Sequence, residues 1–325
     1  GCEVRDMAGN LIRAVGAVVL LFFCISSAAA EEYSVPSQRV QMEEVVVTAS
    51  PIIEGNDVNS YGSQVTSVSK EQISDLNAQD LPSALRRVPG VILSRHNPVG
   101  SFGGGEGGAI FIRGQGSSRP GAEIQMLVDG IPRFVSVWTH PLMDVLSVDM
   151  IDSIAIYKGA QPVLYGNMAF GAVDIQTKRM REEGFYTALQ SGYGSHNTWA
   201  EVIEHGGKAR RFDYYLMQSY RSSDGHRENA DGELQNYFGR IGYDVNDHWN
   251  LNMTVTHTNN RADDPGPEDG STPSDGTFGT EDYFTVATLS NSYDGGAGHV
   301  KLYLESGGID WVNQDGTPGL NRLTD

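Results

Sequence analysis

The 325-residue chain sets 23 Lys and Arg against 41 Asp and Glu, a net charge of −18. That balance excludes a nucleic-acid reader, which needs clustered cations for phosphate. Thirty-nine glycines, fourteen tyrosines and thirteen prolines point to strands and turns more than to helices. Beyond residue 30 no apolar run is long enough for a spanning helix, which excludes a helical membrane domain but not a spanning barrel.

Residues 7–30 read as a secretory signal: Met7 as start, Arg13 as the positive region, an apolar core over 14–25, and Ala28-Ala29-Ala30 as the cleavage site. Both cysteines, Cys2 and Cys24, fall within the part so removed. The mature chain is therefore expected to rely on packing and strand pairing without disulfides. A polar linker over 31–51 follows and contains a short β-branched run over 43–50: Glu43, Glu44, Val45, Val46, Val47, Thr48, Ala49 and Ser50. Two readings are open for it: an edge strand of the next domain, or an extended peptide that adds to another protein's sheet.

Residues 52–180 read as one compact α+β unit. Ser69 with Gln72 forms a capping-box pattern that opens a short helix. Asp80-Leu81-Pro82 begins a second helix with Leu81, Leu85 and Val88 on one face, stopped by Pro89-Gly90. Strands are expected over 91–94, 109–112, 124–128 and 131–134, with a tight turn at Asp129-Gly130. The unit closes on two period-two strands, Ile154/Ile156 and Val173/Ile175, joined by a linker with glycines at 159, 166 and 171.

From Gly184 the texture changes to segments of about ten residues that alternate apolar and polar. The clearest sets Leu251, Met253 and Val255 against Asn252, Thr254 and Thr256, three side chains outward and three inward. Six others lie over 185–193, 198–205, 212–220, 235–243, 282–290 and 299–305, which makes seven strands with hairpin connections. Linkers over 206–210, 244–248 and 291–298 are short, whereas 221–234 and 259–281 are longer. Tyr186, Trp199, Tyr214, Tyr215, Tyr237, Trp249, Tyr283 and Trp311 recur near segment ends, where membrane girdles sit.

Five strings in fixed order carry a resemblance: the 44–49 run; Leu85-Arg86-Arg87-Val88-Pro89-Gly90-Val91; Ile112-Arg113-Gly114; Leu127-Val128-Asp129-Gly130-Ile131-Pro132; and the 151–175 segment. Behind a signal peptide, this order resembles the TonB-dependent outer-membrane receptors. The chain departs from the family's usual strings at Lys158-Gly159-Ala160 and at Val173-Asp174. The resemblance implies a plug domain (52–180) followed by a transmembrane antiparallel β-barrel from 184 to 325. It implies the outer membrane of a Gram-negative bacterium, TonB and outer-membrane lipid as partners, a monomer, and a transporter instead of an enzyme. A full barrel of roughly 22 strands at about ten residues each needs more residues than follow Gly184. The barrel is therefore expected to be incomplete, in a truncated product or a fragment.

The implied site residues follow the motifs. Glu44, Val45, Val46, Val47, Thr48 and Ala49 would contact TonB by main-chain pairing. Arg113, Gly114, Asp129, Gly130, Lys158, Gly159, Tyr165, Gly166 and Gly171 would shape the plug, with Arg113, Asp129 and Lys158 in a buried ionic network to the barrel or on a solvated surface. Arg95, His96, Phe102, Trp138 and His140 would face substrate. Gly103 to Gly108 spell G-x-G-x-x-G but precede a β-branched strand, not a helix, so a dinucleotide site is rejected. The acids of 263–282 include Asp263, Asp264, Glu281 and Asp282 without EF-hand spacing; a solvated loop is read there before Ca²⁺. No cofactor is assigned, and no metalloprotease, Cys/His or G-x-S-x-G motif supports an enzyme. The implied cargo is a scarce metal chelate, a ferric siderophore first, with cobalamin, haem or a glycan as alternatives. A passive porin or adhesin barrel is the reading from another class.

Overall fold

The structure, a computed structural model, describes residues 56–58, 64–93, 99, 110–115, 124–133, 145–159, 170–266, 276–313 and 319–324. Residues 1–55 lie outside the described residues, the 43–50 run and the cleavage site among them. Two sheets organise the remainder.

The first sheet takes β1 (Asn56–Val58), β2 (Gln64–Ser69), β5 (Ile124–Val128), β6 (Ile131–Pro132), β7 (Ile151–Tyr157) and β8 (Gly171–Thr177). Its order is β1-β2-β7-β8-β5-β6. The two period-two strands pair with each other, Ile154 opposite Ile175 and Ile156 opposite Val173, so their apolar side chains enter one core face. The β5–β8 pairing is parallel. At the β5–β6 turn both Asp129 (φ 49°) and Gly130 (φ 75°) are left-handed, as a two-residue hairpin with the native twist requires.

Between β2 and β5 lie helices α1 (Lys70–Asp75) and α2 (Leu81–Leu85) and the hairpin β3 (Val91–Leu93) with β4 (Ile110–Ile112). The capping box forms: the Gln72 N–H donates to Ser69 Oγ at 3.3 Å and the Ser69 N–H to Gln72 Oε1 at 2.9 Å. Asp80 caps α2 by accepting the Ser83 N–H at 2.7 Å. Leu81, Ala84, Leu85 and Val88 are buried against the sheet.

The second sheet is a continuous antiparallel run of β9 (Gly184–Tyr193), β10 (Trp199–Ala209), β11 (Phe212–Ser223), β12 (Gly232–Asp244), β13 (Trp249–Asp264), β14 (Gly276–Tyr293), β15 (Gly296–Val312) and β16 (Leu320–Thr324). Sequence reading expects seven strands; the eighth, β16, escapes it because Leu320 to Thr324 is too short and charged to alternate. The strands also run further than expected, up to 18 residues in β14, so part of the 259–281 linker is strand. A spanning β-strand needs about 9–11 residues. The added residues of β13 and β14 are mostly polar, with Ala262 and Phe278 as isolated apolar positions, which removes the hydrophobic alternation by which a strand is recognised.

The two faces of this sheet differ as the alternation requires. Leu251, Met253 and Val255 are exposed while Thr254 and Thr256 are buried. On β15, Val300, Leu302 and Leu304 are each more than 60% exposed, opposite Leu289, Ala287 and Thr285 of β14. At about 3.3 Å per residue these apolar positions run roughly 13 Å along β13 and β15, a stretch of the outward apolar band that faces lipid in such barrels. Aromatics edge it. Trp249 Nε1 donates to the Tyr293 hydroxyl at 2.8 Å and His248 stacks on Tyr293 at 4.5 Å. Nearer the other edge His257 stacks between Tyr283 at 4.1 Å and Tyr237 at 5.9 Å. Three of the expected girdle residues belong elsewhere: Tyr186 and Tyr215 stack on each other on the inner face, and Trp311 packs on the buried Phe278. They fall on the inward phase of their strands, which position near a segment end does not reveal.

Candidate gate between the two sheets

The inner face of the second sheet closes over the first. Val202, Tyr215, Met217, Phe238, Phe278, Phe284, Val286 and Ile309 join one buried cluster with Val68, Ile154, Ile156, Val173 and Ile175. Charged side chains are set into this apolar contact, and each joins one sheet to the other.

Arg133 follows β6, its N–H donating to the Met126 carbonyl at 2.9 Å. Its side chain, 2% exposed, reaches two acids on neighbouring strands: Nη2 donates to Asp282 Oδ2 of β14 at 2.7 Å, and Nη1 lies 3.0 Å from Glu305 Oε1 of β15. The guanidinium also sits 4.0 Å over the Phe284 ring. A planar cation shared by two carboxylates and an aromatic face is the arrangement that Arg, and not Lys, can satisfy.

Asp149 lies in a 3-10 turn (Val148–Met150) that Ser147 opens by accepting the Asp149 N–H at 3.3 Å. Its carboxylate takes a bidentate pair of bonds from Arg221 of β11, at 2.5 and 2.9 Å. Burial pushes the Asp149 carboxyl up, but the hydrogen bonds and charge of Arg221 outweigh it and hold the group below its ordinary range. Arg221 Nε also donates to Gln79 Oε1 at 3.0 Å, tying the α1–α2 connection to the same point.

A cross-strand row connects these two ion pairs. Ser219, Asn236, Thr258 and Asp282 stand opposite one another on β11, β12, β13 and β14. Asn236 Nδ2 donates to Ser219 Oγ at 3.4 Å, and Thr258 Oγ1 donates to Asn236 Oδ1 at 3.0 Å and faces the Val145 carbonyl at 3.4 Å. Ser219 further bonds Asp149. The inner wall thus offers the 145–150 segment a polar cradle, with all four row residues buried.

Nearer the β8–β9 connection two lysines make the remaining bridges. Lys178 pairs with Glu204 of β10, whose other oxygen accepts from the Tyr186 hydroxyl at 3.4 Å. Lys301 of β15 donates to the Asp129 carbonyl. The Asp129 carboxylate turns back into its own sheet and accepts from the Thr177 N–H at 3.0 Å and the Thr177 hydroxyl at 2.7 Å.

Of the residues assigned from sequence, Arg113 is exposed and left-handed (φ 53°), and its Nη2 donates to Gln64 Oε1 at 2.6 Å. Gly114 completes that turn with φ 76°. Lys158, 2% exposed, anchors its N–H on the Gln64 carbonyl at 2.8 Å, and burial followed by the Arg113 charge pulls its ammonium below the ordinary lysine range. Gly159 follows it, half-buried. Gly171 is required by space, since a Cβ there would lie 2.8 Å from the Tyr157 carbonyl and 3.0 Å from Ile112 Cδ1. Of Arg113, Asp129 and Lys158, Asp129 meets the second sheet through its carbonyl, which accepts from Lys301, and its charge acts on Arg240 of β12. The buried ionic contacts fall to Arg133, Asp149 and Lys178, with Arg221, Glu204, Asp282 and Glu305 opposite. For the strand-borne Arg221, Glu204, Asp282 and Glu305 the signal in the sequence is a charge on the inward phase of an alternating strand; Arg133, Asp149 and Lys178 lie just outside strands and carry no such signal.

The acids expected in a loop are also redistributed. Asp263 and Asp264 end β13, Glu281 and Asp282 lie within β14, and Asp282 is committed to Arg133. Glu44, Val45, Val46, Val47, Thr48, Ala49, Arg95, His96, Phe102, Trp138, His140, Tyr165 and Gly166 lie outside the described residues.

Comparison with known proteins agrees with this architecture. Residues 57–173 match the family model of the TonB-dependent receptor plug domain. The chain is 30% identical over 158 residues to the vitamin B12 transporter BtuB of Vibrio vulnificus, covering 48% of this chain and 24% of that protein. With the vitamin B12 transporter BtuB of Vibrio cholerae it shares 31% over 156 residues, 47% of this chain and 23% of the other. The aligned part thus spans about a quarter of the length of these curated relatives. Among solved structures, the ferric preacinetobactin receptor BauA of Acinetobacter baumannii superposes with a TM-score of 0.63 at 15% identity, over 76% of this chain and 38% of that one. The alcaligin outer-membrane receptor FauA of Bordetella pertussis gives 0.61 at 17%, over 77% and 40%. At such identities these likenesses speak for the fold. Residues 57–173 thus carry a TonB-dependent receptor plug domain, and the second sheet continues the fold of these outer-membrane receptors.

Proposed function

We propose that this protein is a gated importer of the outer membrane, in which the first sheet is a plug seated against the inner wall of the barrel that the second sheet begins. The observation that carries the reading is how the plug is fastened. Buried but discrete ion pairs, Arg133 with Asp282 and Glu305 and Asp149 with Arg221, hold it, and charged groups can exchange such partners for water at modest net free energy. A passive porin needs an open lumen, whereas here a folded unit lies against the wall.

In this reading TonB pairs with Glu44, Val45, Val46, Val47, Thr48 and Ala49 by strand addition. Force delivered there loosens the plug after cargo has bound near Arg95, His96, Phe102, Trp138 and His140. The protein acts as a monomer in outer-membrane lipid and makes or breaks no covalent bond. The cargo is a metal chelate, a ferric siderophore first; names of fold neighbours such as the ferric preacinetobactin receptor support it. Cobalamin is the second reading, favoured by the relatives at 30–31% identity, which are named vitamin B12 transporters.

Uptake of radiolabelled ferric siderophore and of cobalamin, in cells with and without TonB, tests both levels. The expected result is accumulation of one cargo that is lost without TonB and after deletion of residues 43–49. Transport that survives either change overturns the gated reading. Accumulation of cobalamin alone transfers the assignment to the second cargo.

A further inference from the structure

Nearer the short hairpin connections than the ion pairs of the gate, the plug turn at Asp129-Gly130 covers two further cations of the wall. Lys301 of β15 donates to the Asp129 carbonyl, and its Nζ would lie 3.1 Å from a Cβ placed on Gly130. Arg240 of β12 stands opposite Tyr215 of β11 and Thr254 of β13, on the inward phase that it shares with Asn236 and Phe238. It is 8% exposed, and among the described residues its Nε has no hydrogen-bond partner. The charges that act on it are Asp129 of the turn and Asp213 of β11, opposed by Arg179 and Arg181. Asp213 does not satisfy it. That carboxylate leans instead over Gly242, where an added Cβ would run into its Oδ2, and its own Oδ1 is unbonded. A guanidinium nine-tenths buried with an unbonded N–H is destabilised, and a carboxylate or phosphate oxygen is the acceptor that satisfies it best. The wall between the two cations is polar: Asn252 of β13 and Thr288 of β14 stand in the row that leads across to Lys301.

Resting on the reading of the plug as a gate, we propose that Arg240 and Lys301 form an oxyanion site on the barrel wall. The plug turn covers it, and it takes a carboxylate, phosphate or phenolate of the cargo when the turn leaves. While the plug is seated, the turn gives Lys301 a carbonyl and gives Arg240 the field of a carboxylate that stays bonded to Thr177. Withdrawal removes both at once and leaves two cations that had converged on one residue. A cargo oxyanion replaces Asp129 there, with the guanidinium fork matching two oxygens and the ammonium adding a point charge. The site is therefore available only while the gate is open, and it lies on the side of the wall that the cargo reaches last, next to the short connections.

The test sets a thiol beside the site: Thr254→Cys in the full-length protein in lipid vesicles, with Cys2 and Cys24 replaced by Ser. The thiol is labelled by a sulfonate-bearing and by a trimethylammonium-bearing thiosulfonate, with the plug seated and with the plug released in mild urea. Both reagents should react slowly while the plug is seated, and the sulfonate should react the faster of the two after release. Arg240→Gln should lower the ratio of the two rates about fivefold, as removal of one charge about 7 Å away in a water-like medium requires. Lys301→Gln should lower it further, and Arg240→Lys, which keeps the charge, should not. Inorganic phosphate should slow the sulfonate reagent at least threefold more than chloride of equal ionic strength, and lose that advantage in Arg240→Gln. A ratio indifferent to Arg240→Gln, protection by phosphate no greater than by chloride, or fast labelling with the plug seated would each overturn the site. Neither TonB nor cargo enters the measurement, so its failure leaves the uptake reading standing, and a failed uptake assay leaves this result readable.

Discussion

Replacing Arg133 by Met should release the plug more readily than any other single change at the gate. The substitution removes the cation between Asp282 and Glu305, whose side chains are 7% and 21% exposed, and leaves two carboxylates with neither a counter-ion nor full access to water. Breaking a buried ionic group by deleting one partner costs about 3–5 kcal/mol, and the lost stacking on Phe284 adds about 1 kcal/mol. A triple variant, Arg133→Met with Asp282→Leu and Glu305→Leu, should recover most of that loss, because the cost belongs to the stranded charges and not to the missing attraction. The two cysteines, Cys2 and Cys24, both precede the described residues. A thiol introduced at Ser153 of β7, in the absence of Cys24, therefore reports plug release by its labelling rate in rising urea, while loss of barrel structure is followed separately by circular dichroism. The single variant should shift labelling to markedly lower urea and leave the barrel transition in place. If the triple variant releases as easily as the single one, buried charge does not control the gate and the reasoning fails.

Asp149→Asn should weaken the plug by about 3 kcal/mol at neutral pH by stranding Arg221. Because Arg221 depresses the folded-state value, the wild-type contribution is fully present above the unfolded carboxylate range and lost as pH falls below about 4; urea release followed down to pH 3 should show that acid limb in wild type and not in the variant. Asp174 runs the other way. Its carboxyl, raised to about 6 from 3.8, binds its proton more tightly when folded, so ionisation costs stability as pH rises through that window. Asp174→Asn should stabilise the plug's own fold by about 3 kcal/mol at neutral pH and by well under about 1 kcal/mol near pH 4, as read by hydrogen exchange of β7 and β8 amides. Gly171→Ala should cost about 1–3 kcal/mol, since the Tyr157 carbonyl cannot retreat without breaking the sheet; an unchanged melting temperature would contradict the packing. Leu302→Arg, at a position 71% exposed, should cost about 2–4 kcal/mol in lipid vesicles and little in a water-soluble state.

Much of the plug could be read from the chain because its determinants are local. The capping box at Ser69, the Asp80 cap and the Asp129-Gly130 turn each need only neighbours a few residues away, and each forms as the sequence implies. Pairings that join distant segments were not legible. Nothing in Ile124 to Val128 announces a parallel partner at Gly171 to Ile175, since an apolar run fits either neighbour. In the barrel, alternation revealed strands where lipid faces one side, as at Leu251 to Thr256, and vanished where β13 and β14 continue with mostly polar residues around the isolated Ala262 and Phe278. The gate itself was the least legible part. Arg133 sits one residue past a recognised motif and has no local reason to be buried; its partners lie about 150 and 170 residues further on, at Asp282 and Glu305.

The same polar contacts explain how a plug can be secure and removable at once. An apolar interface alone would resist extraction in proportion to the whole area exposed, because each buried methylene loses about 0.8 kcal/mol on meeting water. Charged groups behave differently, since water compensates much of what their partners supplied, so they fix position more than they add net stability. Arg133 and Arg221 then set where the plug sits, and the Ser219-Asn236-Thr258 row keeps their anchor points on the wall, Asp282 and Arg221, at a fixed spacing.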